Sequence, residues 1–172
     1  GANNGDFIQH RYQFQGHIDS RLCWEPFGTK LAIGTDSGNI GIFDRDMSGP
    51  ILSFRECCNI EAMAWGGANS LLAAISRNSS IYSLPVFNPR SGQRIYPVHH
   101  GLPLDVCWSP DGIFMASIWS EVLSIWNSSS GEEELIPITT RWPTRGSLEW
   151  SPDGKNIAFA VGDTVWVWPI SP

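Results

Sequence analysis

The stretch Val106-Cys107-Trp108-Ser109-Pro110-Asp111-Gly112-Ile113-Phe114-Met115-Ala116 decides the fold, because Leu148-Glu149-Trp150-Ser151-Pro152-Asp153-Gly154-Lys155-Asn156-Ile157-Ala158 repeats its plan. In each, an apolar residue stands two before a Trp, a Ser-Pro-Asp-Gly turn follows, and a large apolar residue with an Ala closes the unit. Pro pre-sets the first turn dihedral, Asp bonds back to its own backbone, and Gly relieves the exit. Two short strands joined by a tight turn are expected at both places.

Working outward, the same anchors recur upstream. Trp24, Trp65, Trp108 and Trp150 are separated by 41, 43 and 42 residues. Seven residues after each stands Leu31, Leu72, Met115 or Ile157, and eight after each stands Ala32, Ala73, Ala116 or Ala158. Two before each stands Leu22, Met63, Val106 or Leu148. Glu25-Pro26-Phe27-Gly28 keeps the Pro and Gly of the turn, whereas Gly66-Gly67-Ala68-Asn69 is degenerate. Third strands are expected at Ile40 to Phe43, Ile81 to Leu84, Val122 to Trp126 and Val165 to Trp168, where β-branched and aromatic residues gather. Fourth strands follow in three units, at Ile51 to Phe54, Ile95 to Val98 and Leu135 to Ile138. Several strands per unit at an even period predict an all-β chain of four propeller blades over residues 11–170. The four anchor Trp are expected in the core.

These anchors and their spacing resemble the WD-repeat family over about residues 11–170. Gly16-His17 opens the first unit, and Phe43-Asp44 stands where the family carries Trp-Asp. Trp126-Asn127, Trp168-Pro169 and, in the second unit, Leu84-Pro85 are read at the same place, so the strict dipeptide is nowhere intact. The resemblance implies a β-propeller, and a structural network of His17, Thr35 and Asp36 or Ser37 in the first unit. It also implies a use for residues 11–15. The last unit has no fourth strand in the sequence, and in this family an N-terminal strand such as Arg11-Tyr12-Gln13-Phe14 completes the last blade. An unpaired blade edge invites aggregation, which gives that closure a physical motive. Two architectures remain open: a closed four-bladed ring, or a partial ring whose other blades come from elsewhere. The usual blade number favours the partial ring.

Composition narrows the function. Hydrophobic residues at 42% and charged residues at 16% provide a core, so only residues 1–10 are expected to be flexible. A net charge of −6 leaves no basic stripe for phosphates, which argues against nucleic acid as a partner. No apolar run approaches the length of a membrane span, and Gly1 to Asp6 lacks the regions of a signal peptide. Cys23, Cys57, Cys58 and Cys107 form no disulfide framework, so an intracellular compartment, cytoplasmic or nuclear, is expected. No metal is expected from His99-His100, nor redox chemistry from Cys57-Cys58, because no converging ligands stand nearby. No cofactor motif is present.

The reading is therefore a non-catalytic scaffold that binds a protein or peptide, with self-association as one way to complete the propeller. Trp119, Arg141, Trp142 and Arg145 are the candidate contacts. Neither Trp occupies a repeat position, and loop Trp and Arg are enriched at binding hot spots. The alternative is a propeller hydrolase acting on a sugar or peptide, for which Asp105, Glu121, Glu149 and Asp163 are the carboxylates to check. Carboxylates converging on the ring axis favour that alternative, and an axis of small apolar residues and Ser counts against it.

Overall fold

The computed structural model describes residues 21–56, 58–67, 70–79, 82–98, 101–138 and 146–170. The expected flexible segment 1–10, the ring-closing strand at 11–15 and His17 lie outside the described residues. Among the described residues fifteen strands form four antiparallel sheets, each a meander. The first blade holds β1 (Arg21–Trp24), β2 (Lys30–Gly34), β3 (Asn39–Asp44) and β4 (Pro50–Arg55). The second holds β5 (Asn59–Trp65), β6 (Leu72–Arg77), β7 (Tyr82–Phe87) and β8 (Arg94–Val98). The third holds β9 (Pro103–Trp108), β10 (Phe114–Trp119), β11 (Val122–Asn127) and β12 (Glu133–Pro137). The fourth holds β13 (Gly146–Trp150), β14 (Asn156–Val161) and β15 (Thr164–Pro169), with no fourth strand among the described residues.

The sequence repeat is a register. Each anchor Trp lies directly opposite the apolar residue seven positions on: Trp24↔Leu31, Trp65↔Leu72, Trp108↔Met115 and Trp150↔Ile157. Each invariant Ala faces the residue before the Trp, as Cys23↔Ala32, Ala64↔Ala73, Cys107↔Ala116 and Glu149↔Ala158. The two Ser-Pro-Asp-Gly turns are built alike. Ser109 Oγ lies 2.5 Å from Asp111 Oδ1, which also accepts from Ile113 N at 2.9 Å, and Phe114 N donates to Ser109 Oγ at 2.9 Å. Ser151, Asp153, Lys155 and Asn156 repeat this at 2.6, 3.0 and 2.9 Å. Gly112 and Gly154 take φ of +72° and +71°, where a Cβ is strained.

The same register corrects one sequence assignment. Leu31↔Phe43, Met115↔Trp126 and Ile157↔Trp168 place the Trp-Asp equivalent opposite the anchor's partner. In the second blade Leu72 pairs with Phe87, so the equivalent dipeptide is Phe87-Asn88 and not Leu84-Pro85. Pro85 lies inside β7, where its missing N–H interrupts the ladder, and pairing resumes in register at Ser76↔Ser83. Reading the Pro as a strand end cut the strand short.

Blades stack through β1 beside β5, β5 beside β9, and β9 beside β13, with Trp65, Trp108 and Trp150 each packed against the preceding blade. Trp65 packs with Ala32, Ile40 and Ile42 of the first blade. Trp108 and Met115 pack with Ala73, Ile75 and Val86 of the second. Trp150, Ile157 and Phe159 pack with Ala116, Ile118 and Leu123 of the third. Trp108 Nε1 also donates across the junction to Ala64 O at 3.1 Å. Among the described residues β13 and β1 form no junction like the three between consecutive blades, so the four blades form an open arc. This overturns the expectation for one anchor. Trp65, Trp108 and Trp150 are buried, but Trp24 is 55% exposed, and among the described residues no blade stands against it.

Candidate functional site

Two kinds of surface compete for the function: the ring axis, and the ends of the arc. The innermost strands of all four blades line an axial cavity of about 470 Å³, with Cys23, Ala64, Cys107 and Glu149 contributed from the position before each anchor Trp. Asp105 and Ser147 join them. Asp105 is the most heavily engaged carboxylate here. Its Oδ1 accepts from Val106 N and its Oδ2 from Leu148 N, both at 2.9 Å, so it ties the third blade to the fourth. Burial raises its pKa above the ordinary carboxylate value against the pull of these two amides, and nearby Glu149 raises it further. Burial also pushes the Cys107 thiol well up, with Glu149 and Asp105 adding to it, and raises Cys23. Such thiols are poor nucleophiles at neutral pH. Glu121 and Asp163 are not at the axis: both are exposed in the turns before β11 and β15. Among the described residues no three His, Cys, Asp or Glu side chains are grouped to hold a metal. Cys57, His99 and His100 lie outside them.

The candidate contacts fare unequally. Trp119 is the last residue of β10, not a loop residue, and is only 1% exposed. It packs in the core between the second and third blades, and its Nε1 donates to Ser117 Oγ at 2.8 Å. A side chain so enclosed has no face for a partner, so Trp119 is a core residue. Arg141, Trp142 and Arg145 lie outside the described residues. Of the proposed network, Thr35 is buried, and its Oγ1 lies 3.0 Å from Ser37 Oγ and accepts from Asn39 N at 3.0 Å. Asn39 Nδ2 donates to Ser37 Oγ at 3.0 Å, while Asp36 stands exposed outside this set. The turn it braces presses on the next blade: Gly38 O accepts from Glu56 N at 2.8 Å, and Thr35 O from Ile60 N at 3.0 Å.

The surface that sequence reasoning missed is at the two ends. Leu22 and Trp24 are 60% and 55% exposed on the first blade, and Val165 and Val167 are 72% and 66% exposed on the fourth. Trp166 and Trp168 are also partly exposed on β15, which has no fourth strand beside it among the described residues. The available signal was positional: the first and last units of any open stack each have one face without a neighbour.

No protein-family model matches the chain. The chain is 26% identical over 155 residues to the B-type cell cycle switch protein ccs52A of Medicago truncatula, covering 86% of this chain and 31% of that protein. It is 27% identical over 158 residues to Protein FIZZY-RELATED 1 of Arabidopsis thaliana, with the same coverage of 86% and 31%. The chain thus spans less than a third of the length of these relatives. Among solved structures, a chain in the crystal structure of the mitotic checkpoint complex matches with a TM-score of 0.71 at 25% identity, over 88% of this chain and 48% of that one. The register, the blade stacking and these likenesses together show a β-propeller fold with four degenerate, WD-repeat-like blades.

Proposed function

We propose that the chain is a non-catalytic scaffold inside the cell, which holds a protein or peptide on a rigid arc of blades. The observation that carries this is the placement of its apolar surface. Exposed Leu22, Trp24, Val165 and Val167 stand at the ends of the arc, where only another protein surface of matching shape can cover them. The likeness to a chain solved within a multi-protein checkpoint complex supports the same reading. Arg141, Trp142 and Arg145, which precede β13 in the sequence, are the proposed contacts. A Trp flanked by two Arg anchors in a pocket while the guanidiniums pair with carboxylates. The hydrolase alternative needs a pair of carboxylates with oxygens available to substrate and water. Asp105 instead gives both of its oxygens to backbone amides, which speaks for bracing rather than catalysis.

The test compares proteins retained by the immobilised chain with those retained by a Trp142→Ala, Arg145→Ala double variant, using quantitative mass spectrometry. The expected result is loss of a defined set of proteins at an unchanged thermal midpoint. Identical sets would remove these residues from the site. Hydrolysis of an aryl glycoside or a peptide that disappears with Asp105→Asn or Glu149→Gln would overturn the scaffold reading in favour of an enzyme.

A further inference from the structure

The junction between the third and fourth blades departs from its neighbours in three ways. Six residues after the anchor Trp of its own blade stands Leu71 in the second blade and Phe114 in the third. Leu71 is buried with Trp108 of the next blade. Phe114 is only half-buried against Trp150, with ring centroids 6.4 Å apart at 26°. The indole nitrogens differ too. Trp65 Nε1 donates to Ser70 O and Trp108 Nε1 to Ala64 O, whereas Trp150 Nε1 is buried without an acceptor. The last departure lies in the turn after the third strand. Asn88 Oδ1 accepts there from Arg90 N and Ser91 N, and Asn127 Oδ1 from Ser129 N and Ser130 N. The fourth blade has Pro169-Ile170 in place of Asn127-Ser128, and Ile170 N donates to Lys155 O as Ser128 N does to Ile113 O. Apolar side chains thus stand where the other turns are polar. Between the two Ser-Pro-Asp-Gly turns lies a groove of about 680 Å³, with Phe114, Trp150, Pro169 and Ile170 as its apolar lining. Asp111 of the third blade and Lys155 and Asn156 of the fourth add polar groups to it.

We infer that this groove seats a short segment of another protein in which a large apolar side chain stands beside an Asp or Glu. This rests on the scaffold reading and names the chemistry of what is held. The volume suits a few side chains, and the half-buried Phe114 and Ile170 gain burial when one enters. The charges select the sign. Asp111 gives Oδ1 to Ser109 Oγ and Ile113 N, and Asp153 gives Oδ1 to Ser151 Oγ and Lys155 N. Lys155 is exposed and forms no ion pair among the described residues, although Asp153 feels its charge. The Asn156 side-chain amide likewise has no hydrogen bond among them. An arriving carboxylate therefore meets an unpaired ammonium and an amide donor at the edge of an apolar surface, where the lower dielectric strengthens the pair. Both walls lie within one junction of the arc, so the groove does not depend on how the ring is completed.

Fluorescence polarisation on the full chain tests this, with labelled, end-capped hexapeptides as probes. One set pairs Leu or Phe with a neighbouring Glu. Control sets replace the Glu by Gln or Lys, or the apolar residue by Ser. The expected result is saturable binding of the first set, weakened about threefold to tenfold by either charge change and at least about tenfold by loss of the apolar residue. Lys155→Glu reverses the preference, so that the Lys peptides bind better than the Glu peptides. Lys155 is exposed, so the thermal midpoint of that variant stays unchanged. Ile170→Ser weakens every set. In the unaltered chain, nuclear magnetic resonance shows the Trp150 indole N–H signal shifting as peptide is added, a readout that needs no variant to fold. Absence of binding by the first set overturns the inference, as does equal binding of the Glu, Gln and Lys sets. So does a charge preference that Lys155→Glu leaves in place, or binding that leaves the Trp150 signal unmoved. Retention of other proteins through Trp142 and Arg145 is measured separately, so the scaffold reading stands or falls on its own.

Discussion

Trp24→Ala and Trp108→Ala make the same chemical change at the same repeat position, and the open arc predicts very different costs. A Trp side chain presents about 150–250 Å², and burial is worth about 25 cal/mol per Å². At 8% exposure Trp108 draws roughly 4–5 kcal/mol from burial, and at 55% Trp24 draws roughly half of that. Trp108 also donates to Ala64 O and meets Trp126 edge-on, with ring centroids 6.2 Å apart at 68°. Removing it leaves a closed cavity and a carbonyl without its donor, for a loss of about 4–5 kcal/mol. Truncating Trp24 opens the site to water, leaves no sealed cavity, and costs about 1–2 kcal/mol. The gap of about 3 kcal/mol corresponds to roughly 6–12 °C in midpoint for a chain of this size. Paired urea titrations followed by far-UV circular dichroism, at a dilution where the chain is single, measure it directly. Equal losses at unchanged m would mean that the Trp24 face is covered within one chain, and the open arc would be wrong.

Gly38→Ala is expected to cost about 2–4 kcal/mol, because φ is +81° and a Cβ there would lie 2.4 Å from Glu56 O. Gly49→Ala, with nothing within 4 Å, stays within about 0.5 kcal/mol by the same thermal scan. Asp105 sets a pH dependence. Its folded pKa lies above its unfolded value, so the unfolded chain ionises first, and its contribution to stability falls as pH rises from the ordinary carboxylate range through the raised value. Asp105→Asn is expected to flatten that slope in midpoint-against-pH measurements, and an unchanged slope would assign it to another group.

Most of the blade was legible because the repeat is a hairpin register. Trp108 with Met115 and Cys107 with Ala116 are cross-strand neighbours, and the hairpin turn fixes their spacing. What escaped was whatever depends on a neighbouring blade. Trp24 and Trp108 look alike in sequence, and only the stacking of the blades decides that one is wet and the other dry. Trp119 read as a loop residue because Ser120-Glu121 follows it, yet β10 carries on through it, with an irregular step against Pro103. Pro85 hid Phe87-Asn88 because a Pro usually marks a strand's end, whereas β7 runs through it. Asp105 was legible as a carboxylate near an anchor. Its amide partner Leu148, 43 positions away on the next blade, was not.

Amide hydrogen exchange at residue resolution reaches the open arc most directly, through β15. Pairing with β14 protects one set of its amides, and no fourth strand among the described residues pairs with the alternate set. The expected result is fast exchange at alternate β15 positions beside slow exchange along β3 and β11, which are paired on both sides. Uniformly slow exchange along β15 would mean that a fourth strand is supplied and the blade is complete, contradicting the open arc.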